Sequence, residues 1–226
     1  MRRRVSGFTL VEVLVVLGIV ALLASLSFAA FSRVREAGRR TVCFSNLKQL
    51  GLAVALYQAD NNDRFPRGGD PADIKTDLWQ NAHSGRFAAA AGALQPLPIV
   101  LHPYLKSNDV WRCPADIGFD TTESGKALNA RPTSFEAFAT SYYYRTELTL
   151  RNKKNLLAYE QAAPYTEHGA ADINMLFDGH GSWHGGWNAP DRRYNILFAD
   201  GHVKNLGRRA YRQAWNLKFE RPVAAP

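Results

Sequence analysis

The first third of the chain is dominated by a long apolar run with one charge in it. Three arginines precede the run, which extends from Phe8 to Phe31 and contains Glu12 as its only charged residue. A helix of that length would cover about 36 Å at about 1.5 Å per residue, and a bilayer's hydrocarbon core is about 30 Å thick. A carboxylate inside such a span costs about 2.5–3.5 kcal/mol, so Glu12 is expected to have a function there.

The segment before the run differs from an ordinary secretory signal. Such a signal has a shorter apolar stretch and is cut after small residues that follow it. Here the small residues Ser6 and Gly7 precede the run, so cleavage there would keep the apolar helix. A new amine at Phe8 would lie one helical turn from Glu12 and could neutralise it, within one chain or between axially offset chains.

The residues Gly7-Phe8-Thr9-Leu10-Val11-Glu12, followed by an apolar helix, resemble the type IV prepilin signature. Type IV pilins and type II secretion pseudopilins share this signature. The resemblance implies cleavage between Gly7 and Phe8 by a prepilin peptidase, N-methylation of Phe8, and a role for Glu12 in filament assembly. The alternative is a plain single-pass anchor in which Glu12 is incidental.

The same resemblance implies a location and a set of partners. The chain would cross the cytoplasmic (inner) membrane once, export its C-terminal head, and then join a periplasmic or cell-surface filament. Its partners would be the prepilin peptidase, identical or related pilin subunits, the inner-membrane assembly machinery and membrane lipid. The arginines on both sides of the run do not by themselves favour this orientation, since the bias toward cytoplasmic Lys and Arg counts both flanks.

The helix is predicted to continue beyond the apolar run with a one-sided pattern. Apolar residues recur at alternating steps of four and three at Cys43, Leu47, Leu50, Val54 and Tyr57. The polar run Asp60–Asp63 and then Pro66 end the pattern. The expected organisation is a leader at 1–7, a transmembrane and assembly helix at 8–31, an amphipathic continuation at 32–60, and an exported globular head at 61–226.

The head is predicted to contain short strands and many loops. Tyr194–Ala199 is apolar and favours strand, Asp200-Gly201 is a hairpin turn signal, and His202–Leu206 would be the partner strand. Leu156–Tyr159 and Ile173–Phe177 are further candidate strands, whereas Ser134–Thr140 is ambiguous. The predicted fold class is therefore α+β, with a long N-terminal helix packed on a small antiparallel sheet.

Resemblance to bacterial pilin-like proteins extends into the head. Cys43–Ala53, Tyr57–Pro66 and Trp111–Pro114 resemble that group, and Asn195–Val203 is similar to the terminal Asp-Gly motif of prepilin processing-associated domains. In that motif a histidine usually precedes Asp-Gly by ten positions. Here that position is Pro190, and the nearest upstream histidine is His184.

Cys43 and Cys113 are the only two cysteines. An exported head would lie in an oxidising compartment, where the two can form a disulfide that joins the long helix to the head. Two buried free thiols are the alternative.

Carboxylates and imidazoles are concentrated near the C-terminus, at Asp178, His180, His184, Asp200 and His202. Such side chains can bind divalent metals, but Asp-Gly also makes tight turns after apolar strands. No nucleophile, phosphate-binding or metalloprotease motif occurs, so we expect no catalytic residue, metal or cofactor. The net charge is +8, but the basic residues are scattered, which makes nucleic-acid binding unlikely as a function.

The expected function is therefore a structural filament subunit and not an enzyme. The alternative from another class is a membrane-anchored exported binding protein with an Asp/His metal site.

Overall fold

The computed structural model describes residues 9–74, 91–118, 132–150, 170–186 and 188–215. Its contacts divide the chain into two compact units, one ending at Gly38 and the other beginning at Arg39. The first unit contains the N-terminal part of helix α1 (Leu10–Asp60), and the second contains the rest of that helix and the head.

Helix α1 begins and ends where polar side chains satisfy its free backbone groups. Thr9 precedes the first residue, and Glu12 lies in the first turn. After Asp60, the left-handed backbone of Asn62 (φ 55°) and Asp63 (φ 58°) stops the helix. The predicted single helix, with its end at the polar run, is confirmed to within two residues.

In the first unit the described apolar side chains of α1 are exposed throughout. Leu10 is 78% exposed and Val34 is 69% exposed, with similar values for the large apolar residues between them. No helix among the described residues combines the length and the apolarity needed to be assigned as a membrane span.

In the second unit α1 buries one side only. Cys43, Leu47 and Leu50 are fully buried and Val54 nearly so, as the alternating pattern predicts, and Tyr57 is half-buried. We call the side formed by these five residues the seam. Leu52 and Leu56 lie off the seam and are exposed.

A four-stranded antiparallel sheet forms the centre of the head, and strands that follow each other in the chain lie next to each other in the sheet. Its strands are β3 (Tyr142–Tyr144), β4 (Asn174–Asp178), β5 (Arg193–Phe198) and β6 (Val203–Gly207). The predicted hairpin is confirmed, with Leu197 paired to Val203 and Gly201 at φ +88° in the turn. The candidate strand Ile173–Phe177 is confirmed as β4, whereas Leu156–Tyr159 lies outside the described residues.

Short elements surround the sheet. Strands β1 (Gly68–Gly69) and β2 (Gln95–Pro96) pair in parallel. Among the described residues the further α-helices are α2 (Pro71–Ile74), α3 (Leu97–Leu101), α4 (Ser134–Phe138), α5 (Glu147–Leu150) and α6 (Arg208–Trp215). The ambiguous segment Ser134–Thr140 is thus helical in its first part. Thr133 and Glu136 form a capping box at its start, and Ala139 ends it in the left-handed conformation. The α+β fold class is confirmed.

Side chains point alternately to the two faces of the sheet along each strand, and other elements of the head cover both faces. One face packs with the seam, the disulfide and Trp111, and contributes Tyr142, Tyr144, Leu176 and Leu197. The other packs with α6 and contributes Tyr143, Phe177, Tyr194, Ile196 and Phe198. The first face carries the site described below.

A larger side chain at Gly51 would test how closely α1 packs on this face of the sheet. A Cβ atom added there would lie 2.9 Å from Leu197 Cδ1, whereas one added at Gly38 would meet no atom within 4 Å. We expect Gly51→Val to lower the free energy of unfolding of the head by about 1–3 kcal/mol through overpacking. Gly38→Val in the same helix is the control and should leave it nearly unchanged. Urea unfolding followed by tryptophan fluorescence measures both, and equal effects would contradict the packing.

Buried tyrosines predict a loss of stability in alkali. Burial raises the pKa values of Tyr142, Tyr143, Tyr144 and Tyr211 above the ordinary value of 10.0. Their stabilising contribution is complete below pH 10, the unfolded-state pKa, and is lost as the pH rises above it, because only the unfolded chain then releases the protons. Each such tyrosine should lower the free energy of unfolding by about 1.4 kcal/mol per pH unit. Urea titrations between about pH 9 and pH 11 measure the slope; Tyr144→Phe should flatten it, and an unchanged slope would contradict the assignment.

Candidate functional site

The N-terminus of α1 is held by a capping box made of Thr9 and Glu12. The backbone N–H and the hydroxyl of Thr9 both donate to Glu12 Oε2, each over 2.8 Å, and Glu12 N donates to Thr9 Oγ1 over 3.3 Å. The box satisfies backbone donors that a helix start leaves free, and it places a carboxylate where the helix dipole favours negative charge. Gly7 and Phe8 lie outside the described residues, so their predicted cleavage, methylation and pairing with Glu12 stay predictions.

Thr9 was not among the residues predicted to have a function. The signal was present, because Thr-x-x-Glu before an apolar run is the signature of a capping box. The structure therefore shows a local use of Glu12 in addition to the expected role in assembly.

Large apolar side chains are exposed along α1 from Leu10 to Val34. A monomeric soluble protein rarely exposes apolar patches of more than a few hundred Å², and larger patches mark sites of association with proteins or lipid. This part of α1 is therefore an association surface with a single carboxylate at one end.

The predicted disulfide is present between Cys43 on α1 and Cys113, which follows the 3-10 helix Asn108–Trp111. The alternative of free thiols is therefore wrong for this structure. Hydrogen bonds support the link from both sides: Asn46 Nδ2 donates to the carbonyl of Arg112 over 2.9 Å, and Tyr142 OH donates to the carbonyl of Cys43 over 3.3 Å.

A buried carboxylate–imidazole pair lies beside the disulfide. His184 Nε2 is 3.4 Å from Asp178 Oδ2 and 3.5 Å from Cys113 Sγ, and the side chains of Asp178 and His184 are fully buried. Asp178 ends β4, where its Oδ2 accepts from Asn195 N over 2.6 Å. The negative charge of Asp178 also adds to the effect of burial in raising the pKa of Tyr142.

Close backbone packing positions His184. It follows the 3-10 helix Gly181–Trp183, in which Trp183 Nε1 donates to the carbonyl of Gly118 over 2.8 Å. At Gly185 a Cβ atom would lie 2.2 Å from the carbonyl oxygen of Asp191, so only glycine allows this approach. The loop is thus fixed on both sides of the imidazole.

The five carboxylate and imidazole residues singled out in the sequence do not form one cluster. Asp178 and His184 meet at the disulfide. Asp200 and His202 pair with each other over 2.5 Å at the exposed hairpin turn, and His180 Nδ1 contacts Ser182 Oγ over 2.7 Å. The proximity of His184 to the cysteines was not predicted, because only the folded topology brings these residues together.

The size of the loop that the disulfide closes predicts how much the disulfide adds to the free energy of unfolding. The linked residues are 70 positions apart. Because the disulfide constrains a loop of that size in the unfolded chain, it stabilises the folded state by roughly 4 kcal/mol. We expect the double variant Cys43→Ser with Cys113→Ser to lose about that much in urea unfolding. Wild-type protein in a reducing agent should fall to the level of the variant, and a reduced protein as stable as the oxidised one would contradict this account.

Comparison with known proteins agrees with the class that the helix and head define, a pilin-like subunit. The prokaryotic N-terminal methylation motif matches residues 2–28, and a family described as a protein of unknown function (DUF1559) matches residues 32–112. A type II secretion system core protein G from Aeromonas hydrophila is 33% identical over 97 residues, which cover 43% of this chain and 67% of that protein. No solved structure matches.

The chain belongs to the pilin and pseudopilin family whose members carry the prepilin-type N-terminal methylation motif. The resemblance of Asn195–Val203 to a terminal Asp-Gly motif remains a prediction.

Proposed function

We propose that this protein is a structural subunit of a type IV pilus-like or type II secretion pseudopilus filament. Prepilin peptidase cleaves it between Gly7 and Phe8, and Phe8 is then methylated. The observation that carries the proposal is the exposed apolar surface of α1, which begins at a cap containing its only carboxylate. The likeness to a type II secretion core protein supports the pseudopilus form.

The apolar surface has to be kept out of water both before and after assembly. Burying apolar side chains stabilises by about 25 cal/mol per Å², and the large residues from Leu10 to Val34 are each about half exposed or more. Before assembly, lipid of the inner membrane covers this surface, and the head is exported. In the filament, the helices of sister subunits cover it instead.

Glu12 supplies the register of assembly. An apolar surface is non-directional and lets helices slide along each other, whereas a desolvated carboxylate requires a partner at one position. After cleavage the nearest cation is the amine of Phe8, in the same subunit or in a neighbour at an axial offset. Pairing of Glu12 with the amine of a neighbour fixes the axial offset between the two subunits.

Substitutions at the cap separate the charge of Glu12 from its capping role. Glu12→Ala removes both and Glu12→Gln removes the charge but keeps a side-chain acceptor, so we expect both to abolish filaments. Thr9→Ala is the matched control: it removes the hydroxyl and costs the helix about 1 kcal/mol but leaves the charge, so filaments should persist. Filaments are counted by electron microscopy, with subunit levels in the membrane measured by immunoblot.

Filament formation by Glu12→Gln at the wild-type level would show that the charge does not set the register. Loss of filaments in both Thr9→Ala and Glu12→Ala, with filaments kept in Glu12→Gln, would assign Glu12 to capping only.

A further inference from the structure

Three potential metal ligands meet in the core of the head. Cys43 Sγ, Cys113 Sγ and a ring nitrogen of His184 all lie within 4.8 Å of one another, and all three residues are buried. Two thiolates and an imidazole are a donor set that Zn²⁺ prefers, and closed structural zinc sites are built from such ligands.

The distances around the imidazole match a tetrahedral zinc site. With Zn–S near about 2.3 Å and Zn–N near about 2.0–2.1 Å, a sulfur and a nitrogen ligand stand about 3.5 Å apart. Cys113 Sγ and His184 Nε2 are 3.5 Å apart. The two sulfurs are bonded to each other and would have to separate to about 3.8 Å, which requires that the disulfide be reduced.

A carboxylate lies close to where the fourth ligand of such a tetrahedral zinc site would be. Asp178 Oδ2 is 3.4 Å from the same His184 Nε2, close to the separation of about 3.4 Å expected for nitrogen and oxygen ligands of one tetrahedral Zn²⁺. Its other oxygen, Oδ1, is buried and accepts no hydrogen bond from the part of the chain that the structure describes. The backbone N–H of Asn195 holds Oδ2 in place, as outer hydrogen bonds do for metal-binding carboxylates.

We propose that the reduced chain binds one Zn²⁺ through Cys43, Cys113 and His184, with Asp178 beside the open fourth position. The disulfide and the metal are then alternative occupants of one site. The redox state of the compartment selects between them, since disulfides persist only where the environment is oxidising. This site goes beyond filament assembly and does not depend on it.

The interconversion is balanced. A dithiol reductant gives two electrons and two protons to the disulfide, which becomes two thiols, and the reductant becomes a disulfide. Zn²⁺ then displaces the two thiol protons to solvent as two Zn–S bonds form, with no further change of oxidation state. In the reverse direction a disulfide oxidant takes two electrons from the two thiolates and two protons from solvent and becomes two thiols, while the Cys43–Cys113 bond re-forms and Zn²⁺ is released.

The test uses the untagged full chain in detergent, oxidised or reduced by a water-soluble phosphine, which leaves no thiol to compete for metal. Zn²⁺ is titrated against a chromophoric chelator, and Co²⁺ serves as a spectroscopic probe. We expect one tight Zn²⁺ per reduced chain, none per oxidised chain, and a cobalt–thiolate charge-transfer band only after reduction. A reduced chain that binds no Zn²⁺, or an oxidised chain that binds equally well, would overturn the proposal.

His184→Ala should lower the Zn²⁺ affinity of the reduced chain by more than about tenfold. The matched control is His202→Ala, which alters the exposed hairpin pair and should leave the Zn²⁺ affinity unchanged. X-ray absorption on wild-type Zn²⁺ protein removes any dependence on how variants fold. It should show two sulfur and two nitrogen or oxygen neighbours. A shell without sulfur, or with four sulfurs, would refute the assignment, as would an unchanged affinity in His184→Ala.

Discussion

The head depends on the burial of the seam of α1 against the sheet. Leu47 and Leu50 are fully buried in the core cluster that also contains Leu176 and Leu197 of the sheet, and Gly51 allows Leu197 to approach the helix backbone. The disulfide adds a covalent link at Cys43, one turn before Leu47. Because the other sheet face is covered by α6, the short strands are buried on both sides, and this allows strands of three to six residues to form a stable core.

A single helix therefore serves two purposes through two different patterns. From Leu10 to Val34 it has apolar residues on all sides and exposes them, which suits association with lipid or with like helices. From Cys43 onward it is apolar on one side and organises the head. The capping box at Thr9 and Glu12 links this division to function, because the carboxylate that starts the helix is also the only carboxylate on the association surface.

Features set by local chemistry were predictable from the sequence. The stop of α1 after Asp60 and the β5–β6 hairpin depend on residues next to each other in the chain, and both are confirmed. Helix α6 was not predicted, since it has only eight residues and is stabilised from a distance: Arg145 donates to the carbonyls of Ala214 and Trp215. The meeting of His184 with Cys113 joins residues 71 positions apart and follows only from the folded topology.

The central claim is that this chain is processed and used as a pilin-like subunit, and the N-terminus of the mature protein tests it most directly. Intact-mass and N-terminal analysis of protein from native membranes should find a chain that starts at methylated Phe8. A chain that still starts at Met1, in cells with an active prepilin peptidase, would contradict the account and favour a plain membrane anchor.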